Sequence, residues 1–403
     1  MEKRNIPFSP PDISEREIEE VGNALRSGWI TTGPRVKKLE ARLAQYCHSP
    51  AFVCLNSATA AEELNLLVLG LKPGDEVLVP TYTYTASASA AIHCGATVRF
   101  IDCQKDSVEM DYDQMEEAIN ENTKAVVPVD LGGIICDYDR IFEAVERKKN
   151  LFKAEGNIQE TLGRVAVVAD CAHALGAARH DKMAGEIADF SSFSFHAVKN
   201  FTTAEGGGSC WKSMDGIDDE ELYHIYQLYS LHGQSKDALA KSRAGSWEYD
   251  IVGPWYKCNM TDIAAAMGLV QLDRYPQMLE RRKQIVKSYD EVCDRLGIRH
   301  LQHFGADFTS SLHLYLIWLE GFDHQKRCEF ITAMAEEGVS CNVHYKPLPM
   351  MTAYRNLGWD IADFPNAYHL YENVVSLPLY SRLSEEDEEY VCRTLEKVYN
   401  RMR

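Results

Sequence analysis

Short apolar segments that alternate with longer amphipathic segments are the feature of this 403-residue sequence that most restricts its fold. Several of the apolar segments have no polar alternate face, as expected of strands that helices cover on both sides. Strands and helices that alternate in this way predict an α/β protein. The predicted strands are 51–55, 76–80, 97–101, 125–129, 165–170, 190–195 and 208–211.

Helix signals occupy the intervals between these strands. Ser14 and Glu17 form a capping-box motif at the start of a helix over 17–27, and 111–120 is a second amphipathic segment. An unusually long, charged connection at 140–160 predicts a surface helix that ends in a loop.

The length of the chain predicts two domains, because one compact core rarely incorporates 403 residues. A helical segment over 262–289 has a charged second half, LERRKQIVKSYDEV, which is typical of a bridge between domains. We therefore predict a large domain over 1–272 and a small C-terminal domain over 273–403.

The charge and the cysteines exclude several classes of function. A net charge of -18 argues against a protein that coats nucleic acid or an anionic membrane, because both need a basic surface. The twelve cysteines form no C-x-x-C pair, which argues against a zinc cage, and no other metal site is predicted. No signal peptide and no membrane-spanning segment is found, so we expect a cytoplasmic protein whose cysteines are small buried hydrophobes.

The segment VCLNSATAAEELNLLVLG passes from a strand into a helix through the turn 56–59. Free N–H groups and two hydroxyls at a positive helix end suit a phosphate group. A plain helix N-cap is the alternative, because Ser and Thr cap many helices in such turns.

The segment RVAVVADCAHALGA ends an apolar strand at Asp170, and His173 follows three residues later. Open α/β sheets bind ligands beyond the carboxyl ends of their strands, where a carboxylate could hold a protonated pyridine nitrogen. A helix N-cap is again an equal alternative for this residue.

The segment DFSSFSFHAVKNFTTAEGGGSCWK places Ser194, His196 and Lys199 between an aromatic strand and a glycine turn at 206–208. A lysine is normally a solvated surface charge, but a partly desolvated lysine has a lowered pKa and can act as a Schiff-base nucleophile. The phosphate turn, the acid and the lysine follow one another at strand-to-loop junctions, which strengthens the functional interpretation of all three.

In these motifs the chain resembles the DegT/DnrJ/EryC1/StrS family of sugar aminotransferases, in the aspartate-aminotransferase-like (fold type I) superfamily. The resemblance extends over nearly the whole chain, and SATA, FSFHAVKN and YKCNMTDIAAA are similar to the UDP-4-amino-4-deoxy-L-arabinose oxoglutarate aminotransferases. It implies a large mixed-sheet α/β/α domain and a smaller C-terminal α+β domain. It also implies a homodimer with shared active sites.

The resemblance implies pyridoxal 5'-phosphate (PLP), with its amino form PMP, as the cofactor. Lys199 would be the catalytic lysine that forms the Schiff base, and Asp170 would hold the pyridine nitrogen. Tyr84 would stack on the ring, although a strand-end aromatic in the core is an equal alternative, and His344 has the alternative of an ordinary hydrogen-bonded histidine. The other implied contacts are His173 with the ring hydroxyl, Ala58, Thr59 and Ser194 with the phosphate, Asn259 with the phosphate in the neighbouring subunit, and Trp29, Thr31, His344 and Tyr345 with the sugar nucleotide.

The implied reaction transfers an amino group from glutamate to a nucleotide-linked keto-sugar, with a UDP-4-keto-sugar aminated at C4 as the expected substrate. One alternative is a sugar 3-dehydratase, which has histidine at the position of Lys199. The other is a non-catalytic regulator that binds a sugar nucleotide or PLP, against which the intact set of catalytic residues argues. The long 140–160 connection and the variant residues Cys171, Ala204 and Pro349 leave the identity of the sugar open.

Overall fold

The computed structural model describes residues 3–236 and 248–403 of the chain. Its strands are β1 (Phe52–Leu55), β2 (Glu76–Pro80), β3 (Thr97–Ile101), β4 (Thr123–Val126), β5 (Ala166–Asp170), β6 (Ala178–Arg179), β7 (Lys182–Met183), β8 (Phe190–Ser194), β9 (Gly207–Trp211), β10 (Arg299–His300), β11 (Phe308–Thr309), β12 (Tyr315–Trp318) and β13 (Val374–Leu377).

A seven-stranded mixed sheet forms the centre of the molecule, in the order β1-β9-β8-β5-β4-β2-β3. The strands from β8 to β3 in this order are parallel to one another, whereas β9 is antiparallel to both of its neighbours. Every residue of β1, β5 and β9 is buried, as the apolar runs in the sequence predicted. Two three-stranded antiparallel sheets, β10-β12-β13 and β11-β6-β7, lie outside it.

The predicted strands agree with the structure to within one residue at each end, except for β4. We predicted a strand over 125–129, but β4 begins at Thr123 and ends at Val126. Pro128 has no N–H to donate to a neighbouring strand, so regular pairing stops before it. Its carbonyl still accepts the N–H of Asp170 at 2.9 Å, so the chain continues beside β5 without a regular ladder.

The helices cover the sheets and connect their strands. They are α1 (Glu15–Arg26), α2 (Pro34–Tyr46), α3 (Ala58–Val68), α4 (Ala86–His93), α5 (Tyr112–Ala118), α6 (Tyr138–Arg147), α7 (Asn157–Leu162), α8 (Ala184–Ile187), α9 (Asp219–Ser230), α10 (Asp262–Leu296), α11 (His324–Glu336), α12 (Thr352–Asn356), α13 (Pro365–Asn373) and α14 (Glu385–Met402).

Two of the predicted local features are confirmed. The backbone N–H of Ser14 donates to Glu17 Oε2 at 2.9 Å, and the Ser14 hydroxyl caps the first turn of α1 in return. The long connection at 140–160 contains most of the helix α6, followed by an irregular segment and the start of α7. Both features could be read from the sequence because they depend on residues close together in the chain.

Helix α10 is longer than the sequence predicted, because it continues beyond 289 to Leu296. It ends at Gly297, whose left-handed conformation (φ 68°) costs a residue without a side chain little. The first half of α10 packs in the core beside the large sheet, and its second half packs in a separate core with β12 and β13. The division into 1–272 and 273–403 stays a prediction, since the helix crosses it without a break.

The cysteines are free thiols, and nine of the twelve are buried. This agrees with their interpretation as small hydrophobic residues. Within residues 3–236 and 248–403, no helix is long and apolar enough to cross a membrane. The same ranges contain no cluster of three histidine, cysteine or acidic side chains with the geometry of a metal site.

Candidate active site

A cavity of about 440 Å³ lies at the carboxyl ends of β5 and β8, beside the N-terminus of α3. Parallel strands place their carboxyl ends at one edge of a sheet, so side chains distant in sequence meet there. The predicted site residues that line this cavity are Ala58, Thr59, Tyr84, Asp170, His173, Ser194, Lys199, His344 and Tyr345.

The first turn of α3 forms one wall of the cavity. The Ser57 hydroxyl accepts the N–H of Ala60 at 3.1 Å, so the N-cap interpretation is correct for Ser57. The N–H groups of Ala58 and Thr59 have no acceptor within the helix and lie at the cavity wall. A Cβ atom on Gly207 would lie 2.4 Å from the Ala58 nitrogen, so glycine lets β9 approach this turn closely. The result is a helix end that suits an anion.

The Asp170 side chain is buried, with 5% of its surface exposed. Its Oδ1 accepts the N–H of Ala172 at 3.0 Å, and its Oδ2 accepts the hydroxyl of Ser87 at 2.7 Å. The residues after Asp170 form a turn, so the alternative interpretation of this residue as a helix N-cap is wrong. Two donors therefore fix the carboxyl group at the cavity.

Lys199 lies in the loop between β8 and β9, where its N–H donates to the His196 carbonyl at 2.9 Å. Burial lowers the pKa of Lys199 to about 8, while the nearby Asp170 and Glu62 carboxyl groups act in the opposite direction. At this pKa about a tenth of the amine is neutral at pH 7, far more than for an ordinary lysine. This neutral fraction allows Lys199 to act as a nucleophile.

His173 is neutral, because burial first and the charge of Lys199 second hold its pKa well below the ordinary range. Its Nδ1 accepts the backbone N–H of Gly132 at 3.1 Å, so the ring proton is on Nε2. That nitrogen lies 3.2 Å from the hydroxyl of Tyr345. The ring can therefore donate one hydrogen bond on the cavity side without adding charge.

Two tyrosines and a second histidine complete the open side of the cavity. Tyr84 is 61% exposed, so the alternative that it fills the core is wrong. Its ring lies 6.0 Å from that of Tyr345. His344 bonds to the Ser376 hydroxyl at 2.8 Å, as the ordinary alternative predicts, and also lines the cavity. Burial lowers the pKa of His344 to about 4, which keeps this ring neutral as well.

A comparison with known proteins places this site in a family. The sequence profile of the DegT/DnrJ/EryC1/StrS aminotransferase family matches residues 11–396. The chain belongs to this family. Its predicted fold class, the aspartate-aminotransferase-like fold with a large mixed sheet, is thereby confirmed.

Individual relatives agree with this assignment. The spore coat polysaccharide biosynthesis protein SpsC of Bacillus subtilis is 37% identical over 407 residues, which cover 99% of this chain and 98% of SpsC. Spr1654 of Streptococcus pneumoniae, described as a sugar aminotransferase, has a PMP-form structure that is 55% identical, with a TM-score of 0.96 and coverage of 99% and 100%. Helicobacter pylori PseC, an aminotransferase in pseudoaminic acid biosynthesis, is 25% identical, with a TM-score of 0.84 and coverage of 99% and 100%. Spr1654 also has a PLP-form, which supports the predicted cofactor.

Three predicted residues do not line this cavity in the single chain. The indole of Trp29 donates to the Thr32 carbonyl at 3.2 Å, and the carbonyl of Thr31 accepts the N–H of Asp262 at 3.2 Å. Asn259 pairs with Leu55 through the backbone. Their roles toward substrate, and that of Asn259 in a neighbouring subunit, stay predictions.

Sequence reasoning missed two residues that act on Asp170. Ser87 donates to its carboxyl group, and Glu62 extends from α3 to line the same cavity. A signal for Glu62 was present, because ATAAEELNLLV places an acidic residue on the buried face of an apolar helix. Ser87 gave no comparable signal, since it stands among several small residues in TASASA.

Proposed function

We propose that this chain is a PLP-dependent aminotransferase that transfers an amino group from glutamate to a nucleotide-linked keto-sugar. The proposed substrate is a UDP-4-keto-sugar, aminated at C4. One observation carries the proposal: Lys199, with a pKa of about 8, lines the same cavity as Asp170 and the N-terminus of α3. Family membership and the PLP-form of Spr1654 support it.

The residues present fit PLP. The free N–H groups of Ala58 and Thr59 and the hydroxyl of Ser194 are donors that suit the phosphate. Asp170 is the buried carboxylate that would hold the pyridine nitrogen, and Lys199 is the amine that would hold the aldehyde carbon. Tyr84 is an exposed aromatic on the same wall, available to cover the ring.

The reaction divides the work between the cofactor and the chain. Bound PLP supplies an electron sink for the negative charge that develops on the substrate carbon. Neutral Lys199 would accept the proton from that carbon at Nζ and release it again within the same half-reaction, and the second half-reaction would run this transfer in the opposite direction. Asp170, which Ser87 and Ala172 hold in place, would keep a proton on the ring nitrogen. His173 and His344 are neutral, so they add no positive charge that would oppose charging of the lysine.

The charges of the cavity support a homodimer with shared sites. Glutamate has two carboxylates and a UDP-sugar has two phosphates, and such groups need cationic partners. Among the described residues that line the cavity, Lys199 is the sole lysine or arginine. We therefore infer that a second copy completes the substrate site, near the predicted residues Trp29, Thr31 and Asn259.

A reducing compartment suits the twelve free thiols, and we propose that the enzyme works in the cytoplasm. The net charge of -18 makes nucleic acid and anionic membranes poor partners. Its partners are then its two substrates and a second copy of the chain.

The test uses purified protein loaded with PLP. We expect reduction with borohydride to fix the cofactor on Lys199, and Lys199→Ala to abolish both this adduct and transamination. Lys287→Ala, at an exposed position of α10, is the control and should change neither. An adduct at another lysine, or protein that binds no PLP, would contradict the proposal.

A panel of substrates tests the sugar. The PMP-form is mixed with UDP- and dTDP-linked 4-keto and 3-keto sugars, and conversion of bound PMP to PLP is followed by absorbance. We expect the fastest conversion with a UDP-4-keto-sugar and regeneration of PMP by glutamate. Preference for a 3-keto or dTDP-linked sugar would refute the substrate assignment and leave the aminotransferase assignment in place.

A further inference from the structure

Glu62 is a buried acid on a helix whose other buried residues are apolar, except for Asn65. Only 2% of its surface is exposed, and it lies on α3, which packs against β8 and β9. An isolated carboxylate in such a place is unfavourable, because ionised groups lose their hydration there. Its presence therefore requires a compensating interaction.

The hydrogen bonds of Glu62 do not satisfy an ionised carboxylate. The Ser192 hydroxyl points toward Glu62 Oε1 at 3.4 Å, but it also has the Ala169 carbonyl at 3.2 Å as an acceptor. The second oxygen, Oε2, is buried and has no donor among the described residues. One shared hydroxyl is weak support for a buried negative charge.

The carboxyl groups of Glu62 and Asp170 line the same cavity, and Glu62 contacts Ser192, which pairs with Asp170 across β5 and β8, so the two carboxyl groups interact directly. Two carboxyl groups that interact directly in a buried site cannot both be ionised, so one of them retains a proton. Asp170 has its own donors at 2.7 and 3.0 Å, whereas Glu62 has only the shared hydroxyl. The proton therefore belongs to Glu62.

The electrostatic surroundings agree with this assignment. Burial first, and the charge of Asp170 second, raise the pKa of Glu62 well above its ordinary value. The charged groups that face it are Asp170 and Lys199, and the cation acts in the opposite direction without outweighing burial. A neutral Glu62 has an O–H to donate, which an ionised Glu62 lacks.

We propose that Glu62 is a positioning residue, a neutral carboxylic acid that donates a hydrogen bond to Asp170. With Ser87 and Ala172 it gives the Asp170 carboxylate three donors, which fix its orientation. The carboxyl pair exists without a cofactor. Its effect on the ring nitrogen of PLP rests on the proposed function.

The first experiment uses PLP-free protein, so its result does not depend on the proposed function. Infrared difference spectra at pH 8 compare the wild type with Glu62→Gln. We expect the wild type to show a protonated-carboxyl band that Glu62→Gln lacks. Glu63→Gln is the matched control, because Glu63 is the next residue of α3 and pairs with His93 near the surface. Its spectrum should keep the band, and a wild type without a band removed by Glu62→Gln would overturn the proposal.

The second experiment follows the pH dependence of the absorbance of bound PLP. Glu62→Gln keeps an N–H donor to Asp170, so its titration midpoint should match that of the wild type. Glu62→Leu removes the donor, and its midpoint should move by about one pH unit, the size expected for one lost hydrogen bond to a charged group. A matching midpoint for Glu62→Leu would overturn the positioning role. Failure of every variant to bind PLP at Lys199 would instead refute the proposed function, and the infrared result would still decide the state of Glu62.

Discussion

At the scale of single residues, the site depends on side chains that lose part of their hydration. Lys199 loses water by burial but keeps the carboxyl groups of Asp170 and Glu62 nearby, which leaves its pKa at about 8. His173 and His344 lose their charge altogether. The cavity therefore contains, in Lys199, an amine whose pKa lies close to neutral pH.

This pKa predicts how PLP-free protein reacts with an amine-acylating reagent. Acylation needs the neutral amine, so reaction at Lys199 should rise with pH through a midpoint near 8. A lysine with the ordinary pKa of about 10.4 stays mostly protonated there. Peptide mass spectrometry after short pulses at pH 6 to 10 measures the midpoint. A midpoint near 10 would show that the cavity does not lower the pKa of the lysine.

Gly207 gives a second prediction at this scale. The Cβ of Gly207→Ala would lie 2.4 Å from Ala58 N, so we expect α3 to be displaced and the protein to be destabilised by about 1–3 kcal/mol. Affinity for PLP, measured by equilibrium dialysis, should fall as well. Gly22→Ala, within helix α1, is the control. Its added Cβ would contact only the flexible end of the Arg26 side chain, so the melting temperature should not fall. Unchanged PLP affinity in Gly207→Ala would contradict the role of this close approach.

The site residues that the sequence predicted are those that lie at or just after the end of a strand. Asp170 and Ser194 end strands and Lys199 follows one, and the parallel sheet brings them together at one edge. Glu62 could not be interpreted in the same way. The protonation of Glu62, on helix α3, depends on the carboxyl group of Asp170 on strand β5. These residues are distant in sequence, so no local pattern encodes their contact.

At the scale of elements, helix α1 is attached to α10 by a buried charged group. Glu17 is 1% exposed, and its Oε1 lies 2.6 Å from Arg274 Nη1. Burial alone would raise the pKa of Glu17, but hydrogen bonds from Ser14 and Arg274 outweigh it and lower the value. A depressed folded-state pKa stabilises the fold above the ordinary pKa of glutamate, and this contribution is lost as the pH falls through the folded value.

We therefore predict that Arg274→Met destabilises the protein by about 3 kcal/mol or more at pH 7, because it leaves Glu17 buried without its cation. The loss should shrink toward pH 4, where Glu17 can take up a proton. Urea unfolding at both pH values measures the difference. Arg16→Met is the control, because Arg16 pairs with Asp273 across the same two helices at the surface and should cost about 1 kcal/mol or less. Equal losses for the two variants, or a loss independent of pH, would count against the buried pair.

The elements themselves followed from the sequence where their ends are marked locally. Strands β2 and β3 match their predicted bounds at both ends, since each is a short segment between turns. The predicted bounds of β4 were wrong because Pro128 stops its pairing. The predicted α10 was too short because the helix continues until Gly297. A strand's register depends on its neighbours in space, which a single segment does not contain.

At the scale of the whole molecule, the proposed homodimer can be tested by mixing two inactive variants. Lys199→Ala and Asn259→Ala each remove one residue of the proposed shared site. In a mixed dimer, one of the two sites takes Lys199 from one copy and Asn259 from the other, so it is intact. Refolding the two variants together in equal amounts should restore about a quarter of wild-type activity, because half of the dimers are mixed.

Separately refolded variants that are combined at the end are the control for this experiment and should stay inactive. Sedimentation at the assay concentration establishes the mass of the species. If co-refolded samples remain inactive while each single variant forms dimers, Asn259 does not act across the interface.

Helix α10 has a mechanical consequence for the molecule. It joins the core beside the large sheet to the core around β12 and β13, and it contains Pro276 in its interior. A proline removes one hydrogen bond from a helix, so α10 bends more easily at Pro276 than elsewhere along its length. The segment from Pro276 to Leu296 is about 30 Å long, and a bend of one degree would shift its far end by about 0.5 Å. A small change of angle at Pro276 would therefore act mainly on the core that contains β12 and β13, where the far end of the helix packs.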